Sequence, residues 1–433
     1  MKKLAINGGP KVRKNNFPFH NTIGKEELVA VTKVLKSGVL SKFLGSNHEN
    51  FYGGTEVKAF ENEWANFFEV KHAISVNSNT SGLIASLGAI GILPEDEVIV
   101  SPYSMSISAT APLFYRAVPI FADIEKDYFC LDANSVEKKI SKRTKAIIVV
   151  DIFGQPYDVD KINFLAKKHH LTVIEDAAQA PGATYDGKFA GTLGDIGIFS
   201  LNYHKHIHTG EGGIVVTNND HLAEKVRLIR NHAEAVISPL RDEDLINMVG
   251  FNFRMTEIEA AIGREQLKKL PKFIKERQDN VVKLNKKLAK LPCIKIGKTR
   301  ANATHVYYVQ PLLFKEQDGV TRDLFLKAVQ AELSPINNRE SEGVKVTTAY
   351  SKPLYMLPLF QKKILFGDQP WSLNKKKYSY KKGLCPITEQ LCDNEMIVHE
   401  LFSPSFSNQD LTDVANAFIK VWENRKELND SQK

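Results

Sequence analysis

Cysteine is scarce. Four residues among 433, Cys130, Cys293, Cys385 and Cys392, form no C-x-x-C pair and have no histidine at ligand spacing. That excludes a disulfide framework and a structural zinc, so no metal is expected and a reducing, cytoplasmic setting is. Long apolar runs are also missing. None approaches the roughly 18–20 residues needed to cross a bilayer, so no membrane partner is expected. The opening MKKLAINGG carries positive charge without an apolar core of the signal-peptide kind, so export is not expected. Outside one lysine-rich segment, charge of one sign is not concentrated either: 58 Lys and Arg face 50 Asp and Glu, a net +8. With no helix-turn-helix or RNP pattern, nucleic-acid binding is not expected. What is present, 43% hydrophobic and 25% charged residues, suits an ordinary globular enzyme of two or three domains.

Residues 73–217 repeat one rhythm of short apolar run, turn and helical pattern. The runs AISVN (73–77), EVIVS (97–101), VPIFAD (118–123), KAIIVVD (145–151) and TVIED (172–176) are rich in Val and Ile. So are IGIFSL (196–201) and GGIVVTN (212–218). Continuous apolar strands separated by helices, near 80–92, 105–116, 133–141 and 159–170, predict an α/β domain around a mostly parallel sheet. The last two runs leave room only for a hairpin or loop between them. From about 255 one long amphipathic helix, interrupted by Pro271, leads into a smaller C-terminal α+β domain. The latter has a strand at 305–314 and helices near 322–332 and 410–426. The expected division is 1–255 and 256–433.

Three stretches carry chemistry. In F-S-L-N-Y-H-K-H-I-H-T-G-E-G-G (199–213), Lys205 sits between a buried strand and a Gly-rich turn, among His204, His206 and His208. A desolvated lysine near cationic groups has a lowered pKa and is more often the free amine that attacks carbonyls. In V-I-E-D-A-A-Q-A (173–180) an apolar strand delivers Asp176 at its C-terminal end, where ligands of α/β sheets gather. A buried carboxylate there requires a cationic partner, such as a protonated pyridine nitrogen. The alternative is that Asp176 or Glu175 caps the next segment. In V-N-S-N-T-S-G-L (76–83) a strand passes into a helix through hydroxyl and amide side chains, the makings of a phosphate cradle.

Taken in chain order on one sheet, as phosphate cradle, aspartate and lysine, these motifs resemble the DegT family of sugar aminotransferases, fold-type I enzymes dependent on pyridoxal 5'-phosphate (PLP). The resemblance extends from LAINGGPKVR (4–13) to CPITEQL (385–391). It is carried by D-A-A-Q-A, G-D-I-G-x-F-S, K-x-x-x-T-G-E-G-G and G-F-N-F-R-M-T-E-I-E-A-A-I-G (250–263). It implies that Lys205 carries the cofactor, that Asp176 faces the pyridine nitrogen and that Gln179 lies beside the ring. Thr80, Ser81 and Ser200 match phosphate-binding positions. Asn252 matches an asparagine that reaches the cofactor of the partner subunit, which implies a homodimer with composite active sites. Where the family commonly stacks Phe or Trp on the cofactor, the ungapped match places Met105, with Tyr103 two residues away; a thioether can cover a π-face.

The activity implied is transfer of an amino group, by a ping-pong route, from L-glutamate or glutamine to a sugar or sugar-like carbonyl. The acceptor would be a nucleotide-linked keto-sugar, a keto-cyclitol or an oxo sugar acid such as an 8-oxo octulosonate, serving polysaccharide, lipopolysaccharide or antibiotic assembly. A PLP-dependent sugar dehydratase, with histidine in place of the lysine, and a non-catalytic regulator on the same fold are the alternatives; the presence of Lys205 and Asp176 disfavours both. Arg254, Tyr350 and Lys352 are candidates for substrate or interface contacts, as are His204 and His208 for cofactor or substrate. The segment 362–382, with seven lysines, one aspartate and four aromatics, is read either as a solvated loop or as a basic arm over the site.

Overall fold

A computed structural model describes residues 3–233, 249–367, 369, 370, 372 and 378–430. Each apolar run becomes a strand: β1 (His72–Val76), β2 (Glu97–Val100), β3 (Val118–Phe121), β4 (Thr144–Val150), β5 (Thr172–Asp176), β6 (Ile196–Ser200) and β7 (Gly213–Thr217). They form one sheet in the order β1-β7-β6-β5-β4-β2-β3. The five strands from β3 to β6 are parallel, and β7 runs antiparallel to both β6 and β1. The short link between β6 and β7 therefore closes a hairpin, as its length predicts. Every residue of β2, β6 and β7 is buried, which is why these strands read as unbroken apolar runs.

The helices that matter for the site are α1 (Lys25–Ser37), α2 (Thr55–Phe67), α3 (Asn79–Ala89), α4 (Val159–His169), α5 (Asp220–Arg230) and α6 (Glu257–Leu288). Helix α6 opens on a capping box between Thr256 and Glu259 and runs on through Pro271. Its first half packs Ala260, Leu267 and Leu270 into the core beneath β6 and β7; its second half gives Val281, Leu284 and Leu288 to a separate core. Burial at both ends outweighs the hydrogen bond that proline removes.

That separate core is closed by a four-stranded antiparallel sheet of β8 (Ile294–Ile296), β9 (Gln310–Phe314), β10 (Val346–Thr347) and β11 (Met396–His399), in the order β8-β9-β11-β10. Helices α7 (Arg322–Glu332) and α8 (Asn408–Glu423) complete it. The strand expected from 305 starts only at Gln310. Before it, Tyr307 has φ +52°, and the N–H groups of Val306 and Tyr308 donate to the carbonyls of Gly154 and Phe153. The stretch is a strap onto the large sheet.

Two segments pack across the 255/256 division. Leu4 and Phe17 belong to the C-terminal core, while Leu354, Tyr355, Phe360, Tyr378 and Tyr380 join the core around α3 and β2. The Tyr378 hydroxyl donates to Glu97 (3.0 Å) and that of Tyr380 to the carbonyl of Pro119 (2.9 Å). Glu97 opens β2 and Pro119 lies near the start of β3, so this part of 362–382 is anchored at the N-terminal ends of the parallel strands. The expected arm over the site is corrected there: buried tyrosines tie the segment down at the opposite end of the sheet, while Lys362, Lys381 and Lys382 are exposed, as the solvated-loop reading expects. Asp368, Trp371 and the lysines at 375–377 lie outside the described residues. Among the described residues no helix is long and apolar enough to cross a membrane.

Candidate active site

The C-terminal ends of β1, β4, β5 and β6 converge on a cavity of about 400 Å³. At its edge β1 turns into α3. The N-cap Ser78 accepts a hydrogen bond at its Oγ from the Ser81 N–H (3.0 Å), and the Ser81 hydroxyl donates to Asn77 Oδ1 (2.5 Å). Geometry leaves the first N–H groups of any helix without intrahelical acceptors, so the start of α3 can hold an anion. Gly213 passes so close behind that a Cβ there would sit 2.6 Å from the carbonyl carbon of Ser78. Only glycine lets β7 run against this turn.

Asp176, the last residue of β5, is 4% exposed. Its Oδ1 accepts from Asn79 Nδ2 (3.1 Å) and the Ala178 N–H (3.2 Å), and its Oδ2 from the Ser108 hydroxyl (3.3 Å). Burial pushes its pKa up, against these hydrogen bonds and the charge of Lys205. Among the described residues no cationic side chain lies within ion-pair distance of it. Lys205 lies in the loop after β6, pinned by its own N–H to the Asn202 carbonyl (2.9 Å), with Nζ 4.2 Å from the centre of the Tyr308 ring. Desolvation brings its pKa down to about 8, while the charges of Asp176 and Glu400 oppose the fall. Burial is the cause, not crowding by cationic histidines: His206 is itself buried and neutral, its Nε2 donating to the Val306 carbonyl (2.9 Å).

Of the residues singled out in the sequence, Lys205, Asp176, Gln179, Thr80, Ser200 and Met105 all line this cavity. Gln179 accepts from the Phe153 N–H at Oε1 (2.7 Å) and donates from Nε2 to the Tyr350 hydroxyl (3.4 Å). Ser200 Oγ accepts from the Asn202 N–H (3.3 Å). Met105 is 58% exposed on the wall, whereas Tyr103 is fully buried behind it, edge-on to Tyr350. Two expected residues stand apart. Ser81 is spent on the turn itself, and Ser78 takes its place on the wall. Asn252 is exposed outside this chain's cavity, where its Oδ1 accepts from Arg254 Nε (2.9 Å). His204 and Tyr350 reach the cavity; His208 and Lys352 do not. Sequence reasoning missed Asn79 and Ser108, which hold Asp176, and Tyr308, which covers Lys205. Asn79 and Ser108 stood inside stretches already read for other reasons, and Tyr308 inside the misread strand.

Residues 21–418 match the DegT/DnrJ/EryC1/StrS aminotransferase family. The chain belongs to this family. It is 41% identical over 280 residues to GDP-perosamine synthase of Caulobacter vibrioides, a match covering 64% of this chain and 74% of that one. To L-glutamine:2-deoxy-scyllo-inosose aminotransferase of Streptomyces kanamyceticus it is 29% identical over 440 residues, 98% of both. The solved aminotransferase from Psychrobacter cryohalolentis superposes with a TM-score of 0.78 at 28% identity, covering 94% of this chain and 99% of that one. This DegT-family member is thus a PLP-dependent aminotransferase of the fold-type I architecture.

Proposed function

We propose that the enzyme moves an amino group from L-glutamate, or alternatively glutamine, to a ketone or aldehyde of a sugar or cyclitol in a ping-pong cycle. Its setting would be cytoplasmic synthesis of amino sugars for polysaccharide, lipopolysaccharide or antibiotic. One observation carries the reading: a buried lysine whose pKa is brought down to about 8 shares a cavity with a buried carboxylate that, among the described residues, has no cationic side chain within ion-pair distance. The residues fit the cofactor. Asp176 would meet the protonated ring nitrogen, Gln179 the ring edge, and Thr80, Ser200 and the start of α3 the phosphate; Met105 would cover one face. PLP when bound supplies an electron-withdrawing ring and a carbonyl carbon to which amines attach. Lys205 would take the proton from the donor's Cα as general base and, as general acid, pass it to the cofactor carbon to which the amine had attached. Asp176 keeps the ring nitrogen charged, and Asn79 and Ser108 hold Asp176 in place for that task.

With Tyr378 and Tyr380 anchored at the far end of the sheet, the described part of 362–382 gives no reason to prefer an acidic sugar. A nucleotide-linked keto-sugar or a keto-cyclitol is the better acceptor class, in line with what the names of the two relatives state of those proteins. We further propose a homodimer in which Asn252 serves the partner's cofactor, and a division into domains near 255/256. The test is the visible spectrum of the PLP-loaded protein before and after L-glutamate, without sugar. The band of the lysine-bound cofactor should give way to that of its amino form, with 2-oxoglutarate released, and Lys205→Ala should abolish both half-reactions. Full turnover in Lys205→Ala would overturn the assignment. A lysine-bound band indifferent to glutamate and to glutamine would reject both donors.

A further inference from the structure

Behind Lys205 lies a second, smaller chamber of about 80 Å³, room for a carboxylate and a few waters but not for a whole amino acid. It shares Tyr203, His204 and Lys205 with the cofactor cavity. Its other walls come from distant parts of the chain: His20 and Thr22 from the segment before α1, His206 from the lysine loop, and Arg277 from α6. Several polar atoms here are buried with nothing to bond to. They include Thr22 Oγ1, on a residue 7% exposed, His206 Nδ1, on one 3% exposed, and His20 Nε2. The Thr22 backbone is no loose end, since its carbonyl accepts from Gln266 Nε2 (2.9 Å) and Lys269 Nζ (3.1 Å).

The charges are unbalanced in one direction. Arg339 on the same wall is paired with both Glu342 and Glu400. Arg277 is not: its Nε and Nη2 donate to the carbonyls of Tyr307 and Tyr308 (3.0 and 3.1 Å), and among the described residues no carboxylate lies within 4 Å of it. Desolvation brings its pKa down to about 10, and its charge helps hold His20 and His206 neutral. Among the described residues, the Glu400 carboxylate on the wall is taken by Arg339, and the one open acceptor, His206 Nδ1, faces three donors: the Arg277 guanidinium with no carboxylate within 4 Å, the free Thr22 hydroxyl and His20 Nε2. Such a site takes an oxygen anion, and a planar carboxylate suits the guanidinium fork.

We propose that this chamber is a carboxylate subsite of the active site, with Arg277 as its cation and Thr22 and His20 as neutral donors, and that it seats one carboxylate of the amino donor beside Lys205. The second half of the statement rests on the aminotransferase reading with glutamate as donor. The probe is glutarate, which has both carboxylates and no amine, titrated calorimetrically into the PLP-loaded enzyme. Glutarate should bind the wild type and lose about tenfold in affinity in Thr22→Val, the low end for a hydrogen bond to a charged group. In Arg277→Gln the loss should be about 100-fold, as for a charge-assisted pair. Since Arg277 also donates to two backbone carbonyls, its variant is accompanied by a melting curve. Thr22→Val and His20→Phe, which remove side-chain donors without a protein partner, decide the matter if Arg277→Gln does not fold.

Unchanged glutarate affinity in the folded variants overturns the subsite. If acetate binds as tightly as glutarate and the variants leave the KM for L-glutamate unaltered, the site serves a free anion and the assignment to the donor falls. A raised KM at constant kcat in the glutamate half-reaction supports it. Glutarate binding that weakens in the variants while L-glutamate leaves the spectrum unchanged upholds the subsite and removes glutamate as the donor, so the two readings fail separately.

Discussion

At Lys205 two effects oppose each other. Desolvation favours the free amine, the charges of Asp176 and Glu400 favour the ammonium, and desolvation wins, with a pKa of about 8. At pH 7 roughly a tenth of such a lysine is free amine, against about four parts in ten thousand for an exposed one. The rate of PLP uptake by the apoprotein should therefore rise with pH around a midpoint near 8. Asp176→Asn removes a charge that holds the lysine's pKa up, so its midpoint should fall below the wild-type value, while transamination drops steeply for want of a charged ring nitrogen. Rapid-mixing absorbance from pH 6 to 10 reads both; a wild-type midpoint near the ordinary lysine value would reject the account. Lys205 and Asp176 were legible because each stands in a local pattern, a lysine before a Gly-rich turn and an aspartate ending an apolar strand. Asn79, Ser108 and Tyr308 were not, because what they do depends on three separate elements meeting in space. Met105 was legible as a departure, and its exposed place on the wall could not be told from that of Tyr103 until the backbone turned one outward and the other in.

Strands β4 and β5 bring a second carboxyl pair together beneath the site. Asp151 follows β4, Glu175 stands in β5, and neither has accessible surface. Glu175 accepts from the N–H groups of Gly191, Leu193 and Gly194 (2.7–2.9 Å), and Asp151 accepts from that of Tyr157 (3.0 Å). Burial first, and the charge of Glu175 second, push the pKa of Asp151 well up, so that it shares its proton with Glu175. The sign follows: the folded state holds a proton that the unfolded chain releases near pH 4. The pair's contribution is whole below that pH and is lost as pH climbs through the raised folded value. Asp151→Asn keeps the bonds without the titration. Its melting temperature should gain on the wild type as pH rises from 5 to 9, and a constant difference would mean that no proton is shared. Among elements, the seven apolar runs were readable because burial on both faces leaves no polar alternation to confuse with another structure. The 305–314 stretch misled because half of its apolar residues face the other sheet as a strap, and 362–382 misled because lysine density hid two tyrosines that are core residues.

The molecule as a whole has a surface that one chain does not explain. Leu28, Val29, Leu35, Val39, Leu40 and Leu44 leave between 42% and 67% of their area exposed on and just after α1. Asn252 and Arg254 bond to each other outside the cavity their motif belongs to. Nothing local in G-F-N-F-R-M says which copy of the site it serves, since composition and periodicity describe one chain; the family resemblance alone suggested a partner. A composite dimer makes a sharp forecast. In a mixed dimer of Lys205→Ala and Asn252→Ala chains, one site takes both defects and the other takes neither. Equal mixing with subunit exchange gives half mixed dimers with half their sites intact, so about a quarter of wild-type activity should return from two impaired parents. Were Asn252 to act on its own chain's cofactor, every site in every dimer would keep one defect, and mixing would restore nothing beyond the average of the parents. The recovered fraction thus tells which subunit Asn252 serves, without requiring the sugar acceptor to be known, because the glutamate half-reaction alone reports it.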